Sequence, residues 1–296
     1  MCDQTLPDRR SAPGNVSTTT SQMTSTVSGS PLGKPTDYPD RYTPSLLFSF
    51  ARGEQRRQLG ISGTPPFTGA DLWTAYEITW LDRSGKPQLA IGELRVPADS
   101  PSIVESKSLK LYLGSFAQEP LRSIDELRQK IAEDLKRVCG AEVGVTLNAA
   151  EVLGQLHVAD LPGESLDSVA TAISAYAPSP EALSASGSET EETLRSALFR
   201  VNCPVTGQPD YADVMLRYRG QRIDREGLLR YLVSYRRHAS FHESCVERIF
   251  MDVLSRCRPR ALTVYARFLR RGGIDINPFR SNFESAPARS ERTPRQ

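Results

Sequence analysis

One order of elements occurs twice in this chain, and any fold must satisfy both copies. In the first half, Leu72–Leu81 (LWTAYEITWL) is rich in aromatic and β-branched residues and reads as a strand. Arg83-Ser-Gly-Lys-Pro87 is a turn, and Gln88–Val96 returns as a second strand, which makes a hairpin. Ser123-Ile-Asp-Glu126 has the spacing of a capping box. Behind it Ile124, Leu127, Ile131, Leu135 and Val138 recur at helical spacing, and Gly140 closes the helix. Val143, Val145 and Leu147 then alternate as a strand. In the second half, Leu194–Val201 and Tyr211–Tyr218 read as strands. Asp224 caps a helix carrying Leu228, Leu229, Leu232 and Val233. Ser240 opens another, with Val246, Ile249, Phe250, Val253 and Leu254 as its stripe, and Pro259 stops it. Leu262–Leu269 is a long alternating strand. The expectation is an α+β chain whose halves each run hairpin, helices, strand.

A chain of 296 residues holds one large domain or two ordinary ones. Residues 1–37 are rich in Ser, Thr, Pro and Gly and are expected to be a disordered extension, neither a secretory signal nor a presequence. Between the halves, 151–192 reads as a linker. Within it Glu151–Asp160 could form a strand, and Ser179–Thr193 is Ser/Ala/Glu-rich and expected to be mobile. The polar stretch 284–296 is expected to be a disordered tail. That leaves modules at 38–150 and 193–283. With 37 basic against 35 acidic residues, no charge excess points to nucleic acid or an anionic membrane as partner. No apolar run is long enough to span a bilayer. The five cysteines are odd in number and form no C-x-x-C pair, which fits a reduced, cytoplasmic compartment.

Cys203-Pro-Val-Thr-Gly-Gln-Pro-Asp210 holds a thiol and a carboxylate on a segment that two prolines and a glycine keep from being helix or central strand. A covalent nucleophile with a proton donor beside it needs such a pair. A buried cysteine in a tight turn capped by an aspartate would leave the same string. His238 and His242 would suit a metal only if both lay on one helix, and no protease-type H-E-x-x-H is present, so no metal site is expected. Ser240-Phe-His-Glu243 fits a capping box. If Glu243 instead faces a cavity, its carboxylate can accept two parallel N–H bonds from an aminopyrimidinone edge. Glu105-Ser-Lys-Ser-Leu-Lys110-Leu-Tyr112 suits a phosphate or a solvated strand edge, and Arg270-Arg-Gly-Gly273 could add guanidinium and N–H groups to the same anion. There is no Rossmann fingerprint and no P-loop.

Together these strings resemble those of the NADPH-dependent 7-cyano-7-deazaguanine reductases, the nitrile reductases of queuosine biosynthesis, in their longer two-module form. The likeness runs from about Tyr38 to Phe283 and includes Glu105–Tyr112, Cys203–Asp210, Phe241–Glu243 and Arg270–Arg280. The resemblance implies tandem tunnelling-fold modules, antiparallel sheets backed by helices that close into barrels by association, and hence a homodimer. It implies that the Cys203 thiolate attacks the nitrile and forms a thioimide, with Asp210 as proton donor and NADPH as reductant. Val104, Glu105, Ser106, His242 and Glu243 would contact the deazaguanine; Ser106, Lys107, Arg271 and Gly272 would contact NADPH. The nucleophile and the Glu105 string come from different halves, which puts the site at a junction between modules. Two other readings stay open here: a hydrolytic enzyme of the same fold acting on a purine-like ring, and a non-catalytic nucleobase-binding module.

Overall fold

The computed structural model describes residues 30, 31, 33, 35, 37–149, 157–288 and 291–296. The two halves share one antiparallel sheet. The first contributes β2 (Thr68–Leu81), β3 (Pro87–Pro97) and β5 (Gly144–Ala149). The second contributes β7 (Ala185–Asn202), β8 (Pro209–Ile223), β9 (Ala261–Phe268) and β10 (Ile274–Ser281). The spatial order is β5-β3-β2-β10-β9-β8-β7, ending on β6 (Glu164–Ser165), which runs parallel to β7. The halves therefore meet where β2 pairs with β10. Gly69 makes that close approach possible: its φ is 143°, and a Cβ there would lie 2.0 Å from the carbonyl oxygen of Phe279. A separate two-stranded ribbon joins β1 (Ser49–Ala51) to β4 (Ser102–Val104).

Helices α2 (Ser106–Gly114) and α3 (Ile124–Cys139) cover the first half of one face, and α4 (Arg225–Ser234) and α5 (His242–Cys257) the second. Each pair has its own apolar core, one around Trp73, Tyr112 and Ile131, the other around Phe199, Tyr231 and Phe250. Local signals explain the helix ends. The Ser123 hydroxyl accepts from Glu126 N at 3.3 Å, and Gly140 closes α3 at φ 71°. Asp224 accepts from Gly227 N at 3.0 Å.

A buried ionic cluster ties the halves together. Asp71 on β2 accepts from Arg52 at 2.5 Å and is ion-paired with Arg280 at 2.8 Å; Glu247 on α5 accepts from Arg280 at 2.9 Å and Arg56 at 2.7 Å. Arg52 and Arg56 lie on the short helix α1 (Arg52–Gln58). Arg280 is wholly buried, so its charge rests on these carboxylates.

Two expectations fail, and a third falls mostly outside the described residues. Ser179–Thr193 is not a mobile linker: a turn forms at Pro180–Ala182, and β7 begins at Ala185. Its glutamates are neutralised by the neighbouring strands, Glu191 by Arg217 and Arg219 at 2.9 Å each and Glu189 by Arg260. The described part of 284–296 is packed: Glu284 accepts from Thr263 at 2.5 Å, and Gln296 is 3% exposed. Of Glu151–Asp160, residues 151–156 lie outside those described, and Val158 makes only an isolated bridge to Arg292. The residue string Ile274–Ser281 is a further strand that the spacing did not announce.

Candidate active site

A hairpin tip holds the thiol. Asn202 pairs with Pro209, and Cys203 N donates to Gln208 O at 2.8 Å while Gly207 N donates back to Cys203 O at 3.0 Å. Gly207 sits at φ 69°. The stiff bend anticipated from its prolines is thus the connection between β7 and β8. Asp210 follows as the second residue of β8, facing Val201 in register. Backbone bonds lock the tip to the loop ahead of α5: Asn202 N donates to His238 O at 2.8 Å, and Ser240 N to Asn202 O at 3.1 Å. This brings His242 and Glu243, at the start of α5, beside the thiol loop.

One cavity of about 650 Å³ at the junction of the halves is lined by all ten of the residues singled out: Val104, Glu105, Ser106, Lys107, Cys203, Asp210, His242, Glu243, Arg271 and Gly272. The Glu105 string is not a strand edge. Glu105 caps α2, accepting from Lys107 N and Ser108 N at 2.7 Å each, so its serines and lysines open a helix whose N-terminus favours an anion. The Ser240 capping box does not form; the N-cap is Phe241, with no side-chain cap bond, and Glu243 stays a buried wall of the cavity. Burial pushes the Glu243 carboxyl above its ordinary value, and the charge of Asp71 adds to this.

Asp210 is paired. Arg271 Nε stands 2.9 Å from Oδ1, and His242 Nε2 lies 3.5 Å from Oδ2 without hydrogen-bond geometry. The Arg271 guanidinium also donates to Pro209 O. His238, the other member of the suspected metal pair, follows the turn Tyr235–Arg237 rather than sharing α5. Among the described residues no group of His, Cys, Asp or Glu has metal-binding geometry. The remaining described thiols are sequestered: burial pushes Cys139 and Cys257 up to about 11 and Cys245 up to about 12, whereas Cys203 is partly exposed.

Several lining residues carried no decisive sequence signal. Lys110, at the second turn of α2, lies against Gly272: a Cβ on that glycine, whose φ is 56°, would meet the lysine Cδ at 3.2 Å. Burial lowers the Lys110 pKa. Phe50 and Phe241 bring their rings to 5.1 Å and wall the apolar side. The Trp73 indole N–H, 2% exposed, makes no hydrogen bond among the described residues. Gly33 also lines the cavity, and a Cβ there would lie 3.6 Å from Val205 of the thiol loop.

A thiol, an ion-paired carboxylate, a buried carboxylate and a cationic rim therefore meet in one cleft. Comparisons sharpen this. Residues 38–147 match the family model for the nitrile reductase 7-cyano-7-deazaguanine reductase N-terminal domain, and 209–287 match that for QueF-like proteins. An NADPH-dependent 7-cyano-7-deazaguanine reductase of Bordetella parapertussis is 52% identical over 271 residues, 91% of this chain and 99% of its own. Reductases of the same name from Burkholderia vietnamiensis and Chromobacterium violaceum are 52% and 51% identical over 90% of this chain and 98% and 96% of their own. This chain belongs to the NADPH-dependent 7-cyano-7-deazaguanine reductase family, and its fold is α+β, an antiparallel-rich sheet with helices packed on it. The crystal structure of an apo archaeosine synthase QueF-Like aligns with 33% of this chain and 97% of its own at a TM-score of 0.29 and 18% identity. No described helix is long and apolar enough to cross a membrane.

Proposed function

We propose that this cavity reduces the nitrile of 7-cyano-7-deazaguanine to the primary amine, with Cys203 as nucleophile and Asp210 as proton donor. The observation that carries the reading is the convergence of the Cys203 hairpin from one half and the Glu105–Lys107 helix start from the other on one cleft. The rim fits NADPH. Ser106 and Lys107 at the head of α2, Lys110, and Arg270 and Arg271 supply donors and positive charge, and the glycine at 272 leaves the room a side chain would fill. When bound, NADPH supplies the hydride.

The protein's residues do the rest. Glu243 accepts the paired N–H groups of the heterocycle, with Val104, Glu105, Ser106 and His242 around it. The Cys203 thiolate forms a C–S bond to the nitrile carbon while one C≡N π bond opens onto nitrogen. The Asp210 carboxylate takes up the thiol proton as the Cys203 thiolate forms and passes it to that nitrogen, which leaves a thioimide. The C–S bond breaks once the carbon reaches the imine level, and a second reduction gives the amine, so each nitrile takes up two hydrides and two protons. Covalent capture turns a poor hydride acceptor into a good one and keeps the half-reduced species in the cavity.

In this reading the protein is a cytoplasmic homodimer that binds no nucleic acid. Supporting it are the near-balanced charge, 37 basic against 35 acidic residues, and a sheet that ends in the short strand β5. The decisive experiment mixes protein and nitrile without NADPH and reads the intact mass. An adduct of the nitrile's mass, mapping to Cys203 and absent from Cys203→Ser, is expected. An adduct on another cysteine, or none, would overturn the reading.

A further inference from the structure

The last residues of the chain form a strap over the sheet face that carries no helices, and it crosses five neighbouring strands. Arg292 stacks on Tyr76 of β2, its guanidinium 5.7 Å from the ring centroid. Gln296 Nε2 donates to Asn277 Oδ1 on β10 at 2.8 Å and to the carbonyl of Phe268, the last residue of β9, at 2.9 Å. Arg295 donates to Asp213 on β8 at 2.5 Å and to Ala197 O on β7 at 2.9 Å. The Gln296 amide is fully used, since its Oε1 also accepts from Thr293 N at 3.0 Å. Glutamine at 3% exposure with every polar atom bonded is a built socket.

What the socket grips explains its place. The ladder between β9 and β10 runs only over Phe279–Ser281 and stops at Pro278, which has no N–H to give. Beyond that point the two strands are unpaired until the turn that carries Arg270, Arg271 and Gly272 to the cavity rim, where Arg271 N donates to Ile274 O at 2.9 Å and Ile274 N donates back at 3.3 Å. Phe268 and Asn277 flank this unpaired gap, and the Gln296 amide joins them across it. The turn in turn places Arg271 Nε at 2.9 Å from Asp210.

We infer that Gln296 is a positioning residue: its side-chain amide replaces the missing ladder bonds between β9 and β10 and sets where the Arg271–Gly272 turn stands. The inference rests on the proposed reaction for its kinetic readout only. Gln296→Glu keeps the shape and removes both donor bonds. The KM for NADPH is expected to rise about tenfold while kcat changes less than about threefold, and backbone amide exchange at Arg271 and Ile274 is expected to quicken. A purely structural role would lower the melting temperature and the active fraction but leave that KM at the parental value; a KM within twofold of the parent overturns the inference. Should Gln296→Glu fail to fold, Gln296→Asn, which shortens the reach of the amide, is read the same way. The exchange measurement needs no turnover. If the parent captures no nitrile on Cys203, the functional reading falls, and unchanged exchange at Arg271 and Ile274 then overturns this inference separately.

Discussion

Glu243 shows how far a single side chain can be read. Its carboxyl is 4% exposed, and burial followed by the neighbouring Asp71 raises its pKa, so the ionised form that accepts N–H donors is harder to hold than in water. Because the folded value lies above the ordinary 4.5, the protonated form persists to higher pH. The KM for the nitrile is therefore expected to fall as pH rises through that raised pKa and then level off, a profile that Gln at 243 should flatten. Glu243→Gln is expected to raise that KM by about 10- to 100-fold, the loss of one charged bidentate contact, as initial-rate kinetics at several pH values would show. A KM unchanged by the substitution would remove Glu243 from the substrate edge. The sequence supplied Glu243 as an alternative to a capping box, and only the helix start at Phe241 decides between them. Cys203 and Asp210 were legible because two prolines and a glycine mark their segment as a bend. Trp73 was not, since an aromatic in a strand looks the same whether it faces a cavity or not.

Elements were legible where one rule dominated. Both hairpins and helices α3 to α5 follow from apolar periodicity alone. β10 escaped notice because it buries Asp275 and Asn277, contains Pro278, and needs polar partners that come from elsewhere in the chain. The first half of β7, Ala185 to Thr193, looked like a linker because its glutamates find arginines only after folding, on β8 and the turn before β9. The ionic cluster shows the same dependence on distant partners. Burial works against an ionised Glu247, but Arg280 and Arg56 outweigh it and hold its carboxyl below the usual range. Glu247→Ala would leave two buried guanidiniums short of a counter-charge and is expected to cost about 3–5 kcal/mol, read as a lower urea midpoint. A loss under about 1 kcal/mol would mean that water or another group replaces the carboxylate. The depressed pKa also predicts the sign with acid: the stabilisation from Glu247 is present above its ordinary 4.5 and is lost as pH falls toward the folded value.

At the scale of the molecule, duplication was visible in the sequence, but the seam was not, because it lies in the pairing of β2 with the strand that went unread. The seam puts the helix-capping Glu105 string and the Cys203 bend on the same polypeptide's cleft. Genetic complementation between defective chains should therefore fail. Mixing and reannealing Cys203→Ser chains with Lys107→Ala chains is expected to recover no more activity than either parent alone, whatever the subunit count. Recovery toward a quarter or more of normal turnover would mean that the halves of one working centre come from different polypeptides.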